Sequence, residues 1–148
     1  MDVQQLADEL AIRKLVHTYS DAIVRRDTEA WGDTWAEECE WKIFGKSVHG
    51  REDIVATWQK FMGGLPFVHQ QSTGGLIDFA DGGATGRWYV TEYGVSEDDG
   101  PGTSILGVYH DDYVNEAGTW RFGRRIFNAL YMGPPDLSAQ ARPFPENL

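Results

Sequence analysis

The first part of the chain carries apolar residues at helical spacing. Between Val3 and Arg26 they recur three or four positions apart, and no glycine or proline interrupts the run. Residues with this spacing share one face of a helix, so the pattern predicts a long amphipathic first helix. The apolar stripe consists of Ile12, Leu15, Val16, Tyr19, Ala22 and Ile23.

Two shorter helices are predicted after it. Asp27 has the character of an N-cap, and Trp31 and Trp35 are four positions apart, which places both on one face of a short second helix. A third helix is expected from about Glu52 to Met62, after a glycine and an acidic first turn.

The rest of the pattern is typical of strands. Residues 38–45 alternate as a strand, and Gly45 and Gly50 bracket a predicted turn. Beyond Pro66, four segments rich in β-branched and aromatic residues are separated by loops rich in glycine and aspartate. They are residues 68–80, 83–95, 103–114 and 119–132. Helices followed by an antiparallel meander predict an α+β domain in which a curved sheet wraps around the helices.

We expect one domain over residues 1–132. A chain of 148 residues can bury roughly two-thirds of the surface that its unfolded form exposes, which is enough for a core and an internal pocket. Residues 133–148 hold four of the six prolines and are predicted to form an extended C-terminal arm that covers an opening or a neighbouring subunit.

Charge and composition exclude several classes of protein. The formal net charge is −10 and no basic cluster is longer than two residues, so a nucleic-acid backbone would be repelled. No apolar run approaches the roughly 20 residues that span a bilayer, and the acidic N-terminal stretch has no signal-peptide core. These features predict a cytoplasmic protein without a membrane partner. The single cysteine, Cys39, is expected to be a small buried residue.

Common catalytic motifs are absent from the sequence. There is no glycine-rich phosphate loop, no HExxH, no GxSxG and no cysteine pair, so side-chain acid–base chemistry is what remains. Of the four histidines, His69 opens a strand and would lie at the rim of the sheet, as a catalytic group or as a hydrogen-bonded rim residue. We interpret His17, His49 and His110 as structural or exposed.

Three further residues are candidates for a pocket. Tyr19 lies in the apolar stripe, and its hydroxyl needs a partner in the core or in a pocket. Glu92 shares a strand face with Trp88 and Val90, but the alternation leaves open which face is inside. On the inner face, burial would raise the pKa of Glu92 toward that of a useful acid or base. One arginine of the 124–125 pair should face inward and would need an anion there.

Long segments of the chain resemble a known family. The residues that carry the resemblance are IRKLVHTYSDAIVRRDTEAWGDTWAEECEWKIFG at 12–45, the turn at 50–52, His69 at a strand start and GVYHDDYVNEAGTWRFGRRIFNALY at 107–131. They are similar to the SnoaL-like branch of the nuclear transport factor 2-like superfamily, and most of all to members of the scytalone dehydratase and hexachlorocyclohexane dehydrochlorinase type. The resemblance implies a cone-shaped α+β barrel with three N-terminal helices against a curved, mainly antiparallel sheet.

The resemblance also implies a catalytic arrangement. Such enzymes work without cofactors, with a histidine at a strand start as general base and an aspartate on the first helix that orients it. The histidine corresponds to His69, but an ungapped match from Ile12 to Trp41 places Val24 at the position of the aspartate. Valine cannot fix a histidine tautomer or stabilise an imidazolium, so the acid–base group is expected elsewhere in the pocket. The same match assigns cavity-lining positions to Tyr19, Trp41, His69, Trp88, Val90, Glu92, Ile105, Tyr109, Arg125 and Phe127.

Our hypothesis is therefore a lyase without cofactor or metal that acts on a small aromatic or hydrophobic molecule. It would catalyse dehydration or a retro-aldol type of C–C cleavage. Glu92 and His69 would move protons, Tyr19 or Tyr109 would hydrogen-bond a substrate oxygen, and Arg125 would hold developing negative charge. The substrate would be bound by Trp41, Trp88, Val90, Ile105, Tyr109, Phe127 and Val24.

Other hypotheses fit the same residues. One is a non-catalytic protein that binds small molecules on this scaffold, and another is an isomerase of the ketosteroid type. A homodimer or homotrimer is also expected, formed through the exposed face of the sheet with Tyr89, Tyr93 and His110.

Overall fold

The helices occupy the first half of the chain in the computed structural model, which describes residues 1–97, 100–146 and 148. They are α1 (Val3–Arg25), α2 (Thr28–Gly32) and α3 (Arg51–Gly63). The Asp2 carboxylate caps the start of α1 by accepting a 2.8 Å hydrogen bond from the Gln5 backbone N–H. The C-cap residue after α1 is Arg26, which has a left-handed φ of 57°. The predictions of the first and third helices are confirmed to within two residues.

The second helix is shorter than predicted. Asp27 caps it as expected, accepting a 3.0 Å hydrogen bond from the Ala30 backbone N–H, but α2 ends at Gly32 and Trp35 is the first residue of a strand. The carbonyl of Thr34 accepts a hydrogen bond from the backbone N–H of Phe122. Pairing with the last strand therefore overrides the helical spacing of the tryptophans, and the prediction that Trp35 lies on the second helix is wrong.

Six strands form one curved, mixed sheet in the order β2-β1-β6-β5-β4-β3. β1 and β6 run parallel, and every other neighbouring pair is antiparallel. Because β2 and β3 are free edges, the sheet is an open cone rather than a closed barrel. The α+β class with helices packed on a mainly antiparallel sheet is confirmed. The strands are β1 (Trp35–Ile43), β2 (Lys46–His49), β3 (Phe67–Ala80), β4 (Gly83–Val95), β5 (Gly102–Glu116) and β6 (Thr119–Gly133).

The short strand β2 replaces the turn predicted between Gly45 and Gly50. Both glycines have positive φ, 74° and 85°, and they reverse the chain at the two ends of β2. Four residues between two turns carry too little periodicity to mark a strand in the sequence, and only the pairing with β1 defines it.

A cluster of tryptophans fills the space between the helices and the inner face of the sheet. The rings of Trp31 and Trp58 are stacked with centroids 4.5 Å apart, and Trp35 and Trp41 pack edge-on or tilted against the same group. All four side chains are buried. Each aromatic ring buries a large apolar area, so this cluster fixes α2 and α3 against β1.

The C-terminal arm follows the outer face of its own sheet. The hydroxyl of Tyr131 donates to the carbonyl of Pro134, and the backbone N–H of Arg142 donates to the carbonyl of Leu130 at 2.6 Å. Farther along, the ring of Phe144 packs edge-on against His110, with centroids 5.6 Å apart. These contacts place the described part of the arm against β5 and β6.

Candidate active site

A cavity of about 340 Å³ opens between α3 and the inner face of the sheet. This size suits a small organic ligand. Polar side chains are few, and the walls are mostly apolar. The apolar lining residues are Ile23, Trp41, Ile43, Phe44, Trp58, Phe61, Met62, Leu65, Val90, Ile105, Phe127 and Met132, and the polar ones are Tyr19, Gln70, Glu92, Ser96, Thr103 and Tyr109.

Seven of the eleven predicted site residues lie on this cavity. The strand alternation that the sequence left open is resolved, because Val90 and Glu92 face inward with the apolar walls. The seven are Tyr19, Trp41, Val90, Glu92, Ile105, Tyr109 and Phe127.

His69 faces away from the cavity. On β3 the buried residues are Val68, Gln70 and Ser72, and His69 is on the exposed face between them. Because side chains alternate between the two faces of a strand, the inward position at this strand start belongs to Gln70. The expectation that His69 lines the pocket is wrong by one residue of register.

Val24 and Trp88 also lie outside the cavity. Val24 is 39% exposed, because one residue advances the helix by about 100° from Ile23, which does line the cavity. Trp88 is buried deeper along β4, where its indole N–H donates a 2.8 Å hydrogen bond to the hydroxyl of Tyr113. The expectation that Val24 and Trp88 line the cavity is therefore wrong.

Arg125 is fully buried but does not reach the cavity wall. Its Nε donates to Asp111 Oδ1 at 2.7 Å and its Nη2 donates to Asp111 Oδ2 at 3.1 Å. The anion that an inward arginine requires is thus supplied by the protein itself, and a direct contact with substrate charge is not available. Asp111 was not predicted as a site residue, although it alternates with the inward residues Tyr109 and Tyr113.

Glu92 supplies the one carboxyl group among the described residues that line the cavity. Its Oε1 accepts a 3.1 Å hydrogen bond from Gln70 Nε2. Burial raises the pKa of Glu92 above its ordinary value, and the hydrogen bond from Gln70 opposes that rise. A carboxyl group with a raised pKa can accept a proton from a substrate and return it.

Gln70 is itself held in place by two serines. The hydroxyl of Ser20 donates to Gln70 Oε1 at 3.0 Å and lies 2.9 Å from the hydroxyl of Ser72. Since the amide oxygen is occupied by Ser20, the amide nitrogen is turned toward Glu92. Ser20 and Gln70 were not predicted as site residues, but the alternation of Gln70 with Val68 was a usable signal.

Two tyrosine hydroxyls meet at another part of the cavity wall. Tyr19 Oη lies 3.1 Å from Tyr109 Oη, and the indole N–H of Trp41 donates to Tyr109 Oη at 3.4 Å. If Tyr19 donates to Tyr109, the oxygen of Tyr109 accepts two hydrogen bonds and its own proton is free for a ligand. Burial raises the pKa of both tyrosines, so they enter the cavity as neutral donors.

The connection between α3 and β3 is fixed at the cavity mouth by Arg26. This side chain donates to the carbonyl of Met62 at 3.2 Å and also to the carbonyl of Leu65. Met62 and Leu65 both line the cavity, so the exposed Arg26 helps to shape the entrance.

Two kinds of feature were not found in the described residues. No helix there is long and apolar enough to cross a membrane. The same residues contain no group of three or more His, Cys, Asp or Glu side chains that could hold a metal ion.

The chain matches known proteins in family and in fold. The model of the SnoaL-like domain matches residues 4–126. A candidate scytalone dehydratase from Novosphingobium aromaticivorans DSM 12444 has a similar structure, with 22% identity, a TM-score of 0.82 and 95% of each chain covered. No curated protein sequence matches the chain at a significant level.

Two further solved structures share the fold. The hexachlorocyclohexane dehydrochlorinase LinA-type3 from Novosphingobium barchaimii LL02 is 20% identical, with a TM-score of 0.84 over 98% of this chain and 100% of that one. A protein of unknown function with a cystatin-like fold from Nostoc punctiforme PCC 73102 is 19% identical, with a TM-score of 0.72 over 89% of this chain and 95% of that one. At these identities the likeness is one of fold.

Proposed function

Because this chain belongs to the SnoaL-like domain family, we propose that it is a cofactor-independent lyase acting on a small aromatic or hydrophobic molecule. The observation that carries the proposal is Glu92, a carboxyl group on the wall of an apolar cavity that also holds two tyrosine hydroxyls. The names of two structural neighbours, a candidate dehydratase and a dehydrochlorinase, describe eliminations, and they support this reaction class.

A β-hydroxy ketone fits the polar groups of the cavity. In a retro-aldol cleavage, the Glu92 carboxylate takes the hydroxyl proton, the O–H electrons form the new carbonyl, and the C–C bond breaks. Its electron pair moves to the ketone oxygen, where the enolate accepts a hydrogen bond from Tyr109, whose own oxygen accepts from Tyr19. The protonated Glu92 then returns the proton to the enolate carbon, so that one molecule yields an aldehyde and a ketone.

Dehydration of the same compound uses the same groups. Glu92 removes the proton next to the ketone, and the Tyr109 hydroxyl stabilises the enolate oxygen by donating a hydrogen bond to it. The enolate then expels the β-hydroxyl group, which leaves as water with the proton from Glu92. Both reactions need only one carboxyl group and hydrogen-bond donors. Neither needs a histidine and aspartate pair, and the described residues that line the cavity include no such pair.

The aldol adduct of benzaldehyde and acetone tests the proposal and distinguishes the reactions. Retro-aldol cleavage releases benzaldehyde, whereas dehydration yields benzalacetone, and the two products have different ultraviolet spectra. We expect turnover by the wild type and a loss of roughly a hundredfold or more for Glu92→Gln, since acid–base groups contribute about 10²–10⁴-fold. The matched control is Glu38→Gln, which removes a carboxylate from an exposed position on β1 and should leave turnover unchanged.

Two results would contradict the proposal. One is equal activity of the wild type and Glu92→Gln, which removes Glu92 from the mechanism. The other is saturable binding of the adduct by the wild type without any product, which supports the non-catalytic binding protein instead.

We further propose that the protein forms a homodimer or homotrimer through the outer face of the sheet. The support is the exposure of Tyr89 and Tyr93, which are 42% and 43% accessible on that face. Light scattering after size exclusion should give twice or three times the chain mass of 16.6 kDa, and a monomer at every concentration would refute the assembly.

A further inference from the structure

The guanidinium group of Arg125 lies against three aromatic rings. Its central carbon is 3.7 Å from the ring centroid of Tyr109, 4.4 Å from that of Tyr19 and 4.2 Å from that of Phe122. Two of these rings carry the hydroxyls that line the cavity. The charge is therefore one ring behind the cavity wall, where no ligand can touch it.

The ion pair of Arg125 with Asp111 is weak evidence of a stabilising role. A buried ion pair loses the hydration of both groups, and well-packed apolar residues of the same volume are often as stable or more so. Arg125 and Asp111 are both fully buried, and Nη1 of Arg125 finds no hydrogen-bond acceptor among the described residues. Burying Arg125 here costs free energy of hydration. We therefore consider what the electric field of its charge does to the neighbouring rings.

We propose that Arg125 is a positioning residue that strengthens the hydroxyl of Tyr109 as a hydrogen-bond donor to a ligand carbonyl oxygen. A cation on the face of a phenol ring stabilises electron density drawn into the ring. The hydroxyl proton becomes more positive as a consequence, and the bond that it makes to an oxygen bearing developing negative charge becomes stronger. In the buried wall of the cavity, this effect is not screened by water.

A chain of hydrogen bonds holds the guanidinium in that place. The indole of Trp88 donates to Tyr113, Tyr113 donates to Asp111 Oδ2 at 2.8 Å, and Asp111 accepts from two nitrogens of Arg125. This chain explains why Trp88 and Arg125 are inward but off the cavity. Asp111 also neutralises part of the field, so it should set the strength of the effect.

Two carboxyl groups lie near the tyrosine pair and Arg125, and Glu92 is the one whose charge adds to burial in raising the pKa of both tyrosines. Asp111 lies behind the rings with Arg125, and Glu92 lies on the cavity wall. Burial raises the pKa of Tyr109, and the positive charge of Arg125 acts in the opposite direction. The inference rests on the role proposed above for the tyrosines, but it does not depend on which bond is broken or on turnover.

The dye para-dimethylaminocinnamaldehyde tests the proposed role of Arg125. Its absorption moves to longer wavelength as its carbonyl oxygen accepts a stronger hydrogen bond. The wild type should bind the dye with a red shift. Tyr109→Phe should lose the shift and bind roughly tenfold more weakly, the loss of about one hydrogen bond. The neutral pair Asp111→Asn with Arg125→Gln should keep the packing but reduce the shift toward that of Tyr109→Phe.

The single variant Asp111→Asn should change the red shift of the bound dye in the opposite direction. It leaves the arginine charged and removes the opposing carboxylate, so the red shift should exceed that of the wild type. This variant also tests the proposal if the double variant does not fold, as judged by near-ultraviolet circular dichroism. Equal shifts in the wild type and in the folded variants would overturn the role of Arg125.

Failure of the proposed function would look different from failure of this inference. A wild type that shifts the dye but never converts the aldol adduct refutes the lyase and leaves the inference standing. If the wild type binds the dye without a red shift, Tyr109 does not donate a hydrogen bond to it, and the proposed role of Arg125 is refuted as well.

Discussion

The side-chain amide of Gln70 donates a 3.1 Å hydrogen bond to the carboxyl group of Glu92 on the wall of the cavity. The two residues are directly paired across β3 and β4, so both side chains point to the same face of the sheet. Their neighbours in sequence, His69 and Tyr93, are paired in the same way on the opposite face. This register decides which polar groups can act on a ligand.

The buried carboxyl group should make stability depend on pH. Burial raises the pKa of Glu92 in the folded protein above the ordinary value of 4.5. The stabilisation from its protonated form is fully present below pH 4.5 and is lost as the pH rises through the folded pKa. Relative to Glu92→Gln, the wild type should therefore lose free energy of unfolding as the pH rises from about 4 to neutral.

Urea unfolding of both proteins across that pH range measures the difference. Asp111 is also buried with a raised pKa, but it is present in both proteins, and its contribution cancels. A difference between wild type and variant that does not change with pH would show that the pKa of Glu92 is not raised.

Removing the amide of Gln70 should move the pH dependence of turnover. The hydrogen bond from Gln70 lowers the pKa of Glu92 against the effect of burial, so Gln70→Ala should shift the acidic limb of the pH–rate profile to higher pH. Gln71→Ala is the matched control, since Gln71 is exposed on the other face of β3. An unshifted profile in Gln70→Ala, or the same shift in both variants, would disprove the coupling.

Loss of the His69 imidazole should have no effect on catalysis. The side chain is exposed on the face of β3 that points away from the cavity. A residue that does not touch the reacting groups contributes no transition-state binding. His69→Ala should therefore keep kcat/KM within about twofold of the wild type. Steady-state kinetics with the aldol adduct provide the measurement. A hundredfold loss in a folded His69→Ala protein would return His69 to the mechanism.

A methyl group at Gly107 should distort the cavity. A Cβ atom there would overlap the ring of Phe127, which lines the cavity. Gly107→Ala should lower the free energy of unfolding by about 1–3 kcal/mol, the usual range for overpacking, and weaken binding of the aldehyde dye. The control is Gly63→Ala at the end of α3, where nothing lies within 4 Å of the new atom. Similar stability of the two variants would contradict the clash.

Much of the architecture follows from the sequence alone. The helical spacing before Arg26, the alternation after Pro66 and the glycine-rich loops between the strands determine which segments are helices and which are strands. These are local properties, since they depend on backbone geometry and on the separation of apolar from polar faces. They also placed Tyr19 on the inward face of α1, whereas Glu92 and Tyr109 were assigned to the cavity only by the family resemblance.

The tertiary structure decided the features that depend on contacts distant in sequence. Pairing with β6 made Trp35 the start of a strand, and the register of β3 turned Gln70 inward and His69 outward. A shift of one residue reverses the face of every side chain on a strand. In the short polar run HQQS, the alternation of Gln70 with Val68 is a weak signal of that register, and the pairing of β3 with β4 fixes it. The partner of Arg125 could likewise not be identified from the sequence, because a buried charge pairs with the carboxylate that lies nearest in space. The pairing of β5 with β6 places Asp111 beside Arg125.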